Sequence, residues 1–122
     1  MKKLLIAASL ALSTGLAFAD GVLKPQQGGV MAEAKSGQRV ELVAEAGQLA
    51  VYLTDHGGQA VASQGASGEV TLLAGTKKTT AKLEPAGGNK LTAKVKAAAG
   101  AKAIVKVTLA GKPTDQVRLT LK

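Results

Sequence analysis

Gln48-Leu49-Ala50-Val51-Tyr52-Leu53-Thr54, followed at once by Asp55-His56-Gly57-Gly58, decides the fold. Leu49, Val51 and Leu53 alternate with Gln48, Ala50, Tyr52 and Thr54. That period of two sends alternate side chains to opposite faces of a β-strand. Asp followed by Gly-Gly is turn chemistry, because the carboxylate accepts nearby backbone N–H groups and Gly takes positive φ without a Cβ clash. The same unit of strand and turn recurs along the chain. Val40, Leu42 and Ala44 alternate in this way, as do Val70 and Leu72, then Ala81 and Leu83. Leu91, Ala93 and Val95 follow, then Val105, Val107 and Leu109, then Val117, Leu119 and Leu121. A weaker eighth run covers Val30 to Ala34. Gly, Pro, Asn and Asp clusters separate the runs at about ten-residue intervals, the rhythm of an antiparallel sandwich or barrel. The pattern alone leaves sandwich and barrel open; the expectation is an all-β, immunoglobulin-like antiparallel β-sandwich of seven to eight strands. Lys94 to Ala103 is rich in Ala and Lys and looks helical. Gly100 interrupts it and the alternation of β-strands runs into it, so it reads as a strand end and a loop.

The first residues have a different character. Met1-Lys2-Lys3 precedes an apolar run from Leu4 to Leu16, and Ala17-Phe18-Ala19 follows. This is a charged start, a short apolar segment and a small-x-small cleavage site, the order of a secretory leader. The run falls short of the roughly 20 apolar residues that span a bilayer. The expectation is cleavage after Ala19, export to the periplasm, and one domain over residues 20–122 without a transmembrane segment.

Composition narrows the chemistry. The chain of 122 residues has no Cys, no Trp and one His. Disulfides, thiolate metal sites and a cysteine nucleophile are excluded, and one copy has no multi-His zinc site. No G-x-S-x-G motif occurs, and Ser36, Ser63 and Ser67 have only His56 as a base, so the chain reads as non-enzymatic. The charge is polarised. Residues 20–70 carry Lys24, Lys35 and Arg39 against six acids, whereas residues 71–122 carry eleven basic groups against Glu84 and Asp115. Lys77, Lys78, Lys82, Lys90, Lys94, Lys96, Lys102 and Lys106 interleave with apolar residues, as on a solvated strand face. Such a face attracts an acidic partner or an anionic membrane surface. Nucleic acid is not expected as a partner, because so few aromatics give no stacking platform.

Asp55 and His56 are the candidate metal ligands, an adjacent carboxylate and imidazole suited to Cu²⁺, Ni²⁺ or Zn²⁺. They also suit a hairpin turn, where Asp, His and Gly tolerate the backbone. Met31 offers a soft thioether to Cu(I) or fills a core gap, and Tyr52 lines a ligand groove or packs on an outer sheet face with its hydroxyl wet.

Three segments together carry a resemblance: Leu49 to Gly58, Gly65-Ala66-Ser67-Gly68-Glu69-Val70-Thr71-Leu72-Leu73, and Leu83-Glu84-Pro85-Ala86-Gly87-Gly88-Asn89-Lys90-Leu91. They resemble a small periplasmic β-sandwich domain found in adaptor subunits of heavy-metal efflux systems and in free-standing secreted proteins. The resemblance implies an accessory binding protein of metal homeostasis or efflux, with a divalent or cuprous ion as cofactor and an efflux adaptor or other periplasmic protein as partner. Where those domains often begin a strand with His-Gly-Gly, this chain reads Gln27-Gly28-Gly29, and an amide is a poorer ligand than imidazole. Asp55 and His56 are the ligands that the resemblance leaves. The alternative expectation is an interaction module that uses its lysine-rich face.

Overall fold

The structure, a computed structural model, describes residues 23–122. The expected leader and its cleavage site lie outside the described residues. Eight strands form: β1 (Val30–Glu33), β2 (Arg39–Glu45), β3 (Gln48–Thr54), β4 (Ser67–Ala74), β5 (Lys77–Pro85), β6 (Lys90–Ala93), β7 (Lys102–Thr108) and β8 (Thr114–Thr120). They make one sheet in the order β1-β2-β3-β6-β5-β4-β7-β8, antiparallel throughout. Among the described residues no helix is long and apolar enough to cross a membrane.

The sheet folds over on itself because every strand has one apolar face to bury. Val40, Leu42, Leu49, Val51, Leu53 and Leu91 come from one half of it, and Val70, Leu83, Val105 and Val107 from the other; all are essentially inaccessible. Each such side chain contributes roughly 1.5–3 kcal/mol when fully buried. β5 is the corner between the halves. It pairs with β4 from Lys77 to Leu83, then with β6 through Glu84↔Thr92 and Pro85↔Leu91 only. At the opposite side the first and last strands in the order, β1 and β8, pack against each other. The Ser36 hydroxyl donates to Asp115 Oδ2 (3.0 Å) across that seam. The result is a nearly closed barrel.

The Ala- and Lys-rich stretch forms no helix: it is a loop from Lys94 to Ala101, as its Gly100 foreshadows, and β7 begins at Lys102. One detail departs from the alternation: β6 ends at Ala93, although Val95 continues its pattern. The Val95 amide donates to the Ala93 carbonyl (2.9 Å), which turns the chain out of the ladder. Val95 still packs against the core from the loop.

One buried charge ties the N-terminal segment down. Glu41 lies on the outer face of β2, yet only 1% of it is accessible. Its carboxylate accepts the backbone N–H groups of Gln26 (2.9 Å), Gln27 (2.7 Å) and Gly29 (3.0 Å). Charge-assisted bonds of this kind offset the desolvation of the carboxylate. Gly29 makes the close approach possible, since a Cβ there would lie 2.2 Å from the Leu42 carbonyl oxygen. Replacing Glu41 by Gln puts an amide donor against backbone donors. Glu41→Gln is expected to lower unfolding free energy by about 3 kcal/mol, whereas the exposed Glu84→Gln changes it by less than about 0.5 kcal/mol. Urea denaturation of the two variants checks this.

Candidate functional site

The outer face of β5, β4, β7 and β8 gathers the basic side chains, and the ladder registers show how. One row across these strands reads Lys78, Leu73, Lys102, Thr120. The next reads Thr80, Thr71, Ile104, Arg118, and a third Lys82, Glu69, Lys106, Gln116. Four residues along a strand span about 13 Å, and β5 lies two strand spacings, about 10 Å, from β7. Lys78, Lys82, Lys102 and Lys106 therefore mark the corners of a broad rectangle, with Arg118 beside it. All five are exposed. The acids here are Glu69, on the side of the rectangle between Lys82 and Lys106, and Glu84 at the far end of β5. Glu69 reaches Lys106 at 3.9 Å with both side chains about half exposed, so the pair neutralises little. Among the described residues Lys78, Lys82, Lys102 and Arg118 take part in no ion pair.

The other half of the sheet spends its charges internally. Glu45 accepts from Gln48 Nε2 (2.8 Å) and from the Tyr52 hydroxyl (3.2 Å), and pairs with Lys90 Nζ (3.3 Å). Lys90 also sits over the Tyr52 ring, 5.6 Å from its centroid. The hydrogen bond from Gln48, with help from Lys90 and Tyr52, holds the Glu45 carboxyl below the usual carboxylate range. Bonding to Glu45 raises the Lys90 ammonium above the usual lysine value. Glu33 is likewise held low, first by its bond to Arg39 (2.8 Å) and then by His56.

Asp55 and His56 both lie in the turn after β3. Asp55 Oδ1 accepts the backbone N–H groups of Gly57 and Gln59 (both 2.9 Å), which is the turn-building role its sequence context offers. His56 does not turn toward Asp55. Its Nδ1 lies 3.0 Å from Glu33 Oε1, and its ring is 60% exposed. The two residues line a cleft of about 560 Å³ at the loop end of the barrel, together with Ser36, Leu109, Lys112 and Asp115. Among the described residues no group of three or more His, Cys, Asp or Glu side chains is placed to hold a metal. Met31 is half-buried in β1, opposite Glu41. Glu33 is the residue that local reading misses as the partner of His56, because 23 residues separate them in the chain. Comparison with known proteins finds no matching family model, curated protein or solved structure.

The ion pairs make stability depend on pH. Glu33 and Glu45 have lowered folded pKa values, so their contribution is present above the unfolded carboxylate pKa and is lost as pH falls through the folded value. Lys90, raised in the fold, contributes below its unfolded pKa and loses this as pH rises through the folded value. Urea midpoints should fall between about pH 5 and pH 3. Glu45→Gln should flatten part of that acid limb and leave the midpoint near neutrality lower than in the parent protein.

Proposed function

We propose that this protein is a non-catalytic interaction module that docks through the outer face of β5, β4, β7 and β8 onto an acidic macromolecular surface. The observation that carries this reading is the set of exposed cations on one sheet face, four of which have no carboxylate partner among the described residues. Charges so arranged steer an acidic partner in solution and hold it at contact range, where the screening length is about 8 Å. The strand order supports an immunoglobulin-like plan within this reading. With β1 set aside, β2-β3-β6 and β5-β4-β7-β8 follow the neighbour order A-B-E and C′-C-F-G of such sandwiches. A periplasmic setting, the expectation from the leader-like residues 1–19, belongs to this reading.

Two triple variants with equal net charge test the docking face. Lys78→Glu/Lys102→Glu/Arg118→Glu alters the face. Lys24→Glu/Lys35→Glu/Lys112→Glu alters exposed lysines elsewhere. Immobilised polyglutamate should retain the parent protein, and its grip should weaken steeply as salt rises. The face variant should bind at least about tenfold more weakly, and the control should stay within about threefold of the parent. Equal losses in both variants would reduce the interaction to net charge and remove the face from it.

A second reading, capture or relay of a metal ion in efflux or homeostasis, has one observation in its favour. The Glu33 carboxylate engages one nitrogen of His56, an arrangement that also orients metal-binding imidazoles. Calorimetric titration with Cu²⁺, Cu⁺, Zn²⁺, Co²⁺ and Ni²⁺ tests it. This reading predicts binding that His56→Ala abolishes. Binding weaker than about 1 mM, or binding that His56→Ala leaves unchanged, would end it.

A further inference from the structure

Leu73 is the exposed large hydrophobic residue of the described chain, with 36% of its surface accessible. It stands at the tip of the β4–β5 hairpin, where every residue from Leu73 to Lys78 is exposed. The loop there is only Gly75-Thr76, and Gly75 has a φ of +63°, a value that a tight two-residue hairpin demands. The tip therefore presents Leu73 and Ala74 beside Lys77 and Lys78. Across the ladder Leu73 pairs with Lys102 on β7. Lys102 and Arg118 are diagonal neighbours, since Lys102 pairs with Thr120 and Ile104 with Arg118. Diagonal neighbours lie about 7–8 Å apart, close enough for two long basic side chains to reach one phosphate between them. A groove of about 340 Å³ runs beneath, lined by Leu73, Lys102, Ile104, Arg118, Leu119 and Thr120.

These observations combine an apolar tip, a mainly apolar open groove and cations spread over one sheet face. A single small anion would need a deep pocket, and a folded acidic protein would need a matching relief. A fluid layer of anionic headgroups can bring a phosphate to each exposed cation and needs no fixed shape match. Each basic residue held near such a surface strengthens binding about fivefold. We propose that the occupant of this face is an anionic phospholipid surface, with Leu73 entering the headgroup region and a lipid phosphate seated between Lys102 and Arg118. The inference rests on the docking face proposed above and specifies what covers it.

The natural chain contains no Trp, so Leu73→Trp introduces a single reporter. The probes are vesicles of equal parts phosphatidylglycerol and phosphatidylcholine, vesicles of phosphatidylcholine alone, and polyglutamate. The emission of Leu73→Trp should shift to the blue on the anionic vesicles and stay fixed on the neutral ones. In the chain with no Trp substitution, Leu73→Ser should weaken sedimentation with anionic vesicles about fivefold or more while leaving retention on polyglutamate unchanged. Lys102→Glu/Arg118→Glu should weaken vesicle binding about tenfold or more. Vesicle binding with no blue shift, or with Leu73→Ser equal to the parent, would overturn the insertion of Leu73 and with it the proposal. Retention on polyglutamate without vesicle binding would point to an acidic protein as the partner; it would overturn the lipid inference and leave the docking face in place. Failure on both polyglutamate and anionic vesicles would overturn both.

Discussion

The pleat of β4, β5, β7 and β8 is the constraint on which the remaining structure depends. Successive side chains of a strand point to opposite faces. Val70, Leu72, Leu83, Ala103, Val105, Val107, Val117 and Leu119 are drawn inward by burial. Once they are inside, Glu69, Thr71, Leu73, Lys78, Lys82, Lys102, Ile104, Lys106 and Arg118 have to face outward. A slip of one residue would carry lysines into the core, so the hydrophobic interior and the basic exterior are set by the same register. The core thus fixes where the charges stand, and the lysines in turn keep the exposed edge of β5 from pairing with other chains.

The two halves of the sheet use their outer faces differently. On β2, β3 and β6 the outer face carries Glu41, Ala50, Tyr52 and Lys90, and it is largely covered. Glu41 and Ala50 are buried, and the backbone at Gln26, Gln27 and Gly29 is held there by the Glu41 carboxylate. Glu45, Tyr52, Gln48 and Lys90 satisfy one another nearby. On β5, β4, β7 and β8 no such cover exists among the described residues, and the charges are mostly of one sign. The polarity of the sequence, acidic before Val70 and basic after it, becomes a polarity between two faces of one barrel.

The strands were legible in the sequence because alternation is a local property. All eight runs, including the weak one at Val30, correspond to strands. The Asp55 turn was legible for the same reason, as its carboxylate bonds two residues and four residues ahead. What alternation does not report is how strands find one another. Glu41 sits at an outward position and looks like any solvated carboxylate; its burial depends on a segment folding back over it. His56 meets Glu33 only because β1 and the turn after β3 converge at one end of the barrel. Alternation marks the lysines of residues 77–106 as outward-facing, and only the cross-strand registers show Lys78, Lys82, Lys102 and Lys106 gathered on one sheet face.

The central claim is that this face is where the protein meets its partner. Mapping backbone amide shifts by NMR while polyglutamate is added tests it most directly. The account predicts that the perturbed amides fall on β4, β5, β7 and β8, centred on Leu73, Lys82, Lys102, Ile104 and Arg118. Perturbations confined to the loop end around Asp55 to Gly58, or to β1, β2 and β3, would contradict it.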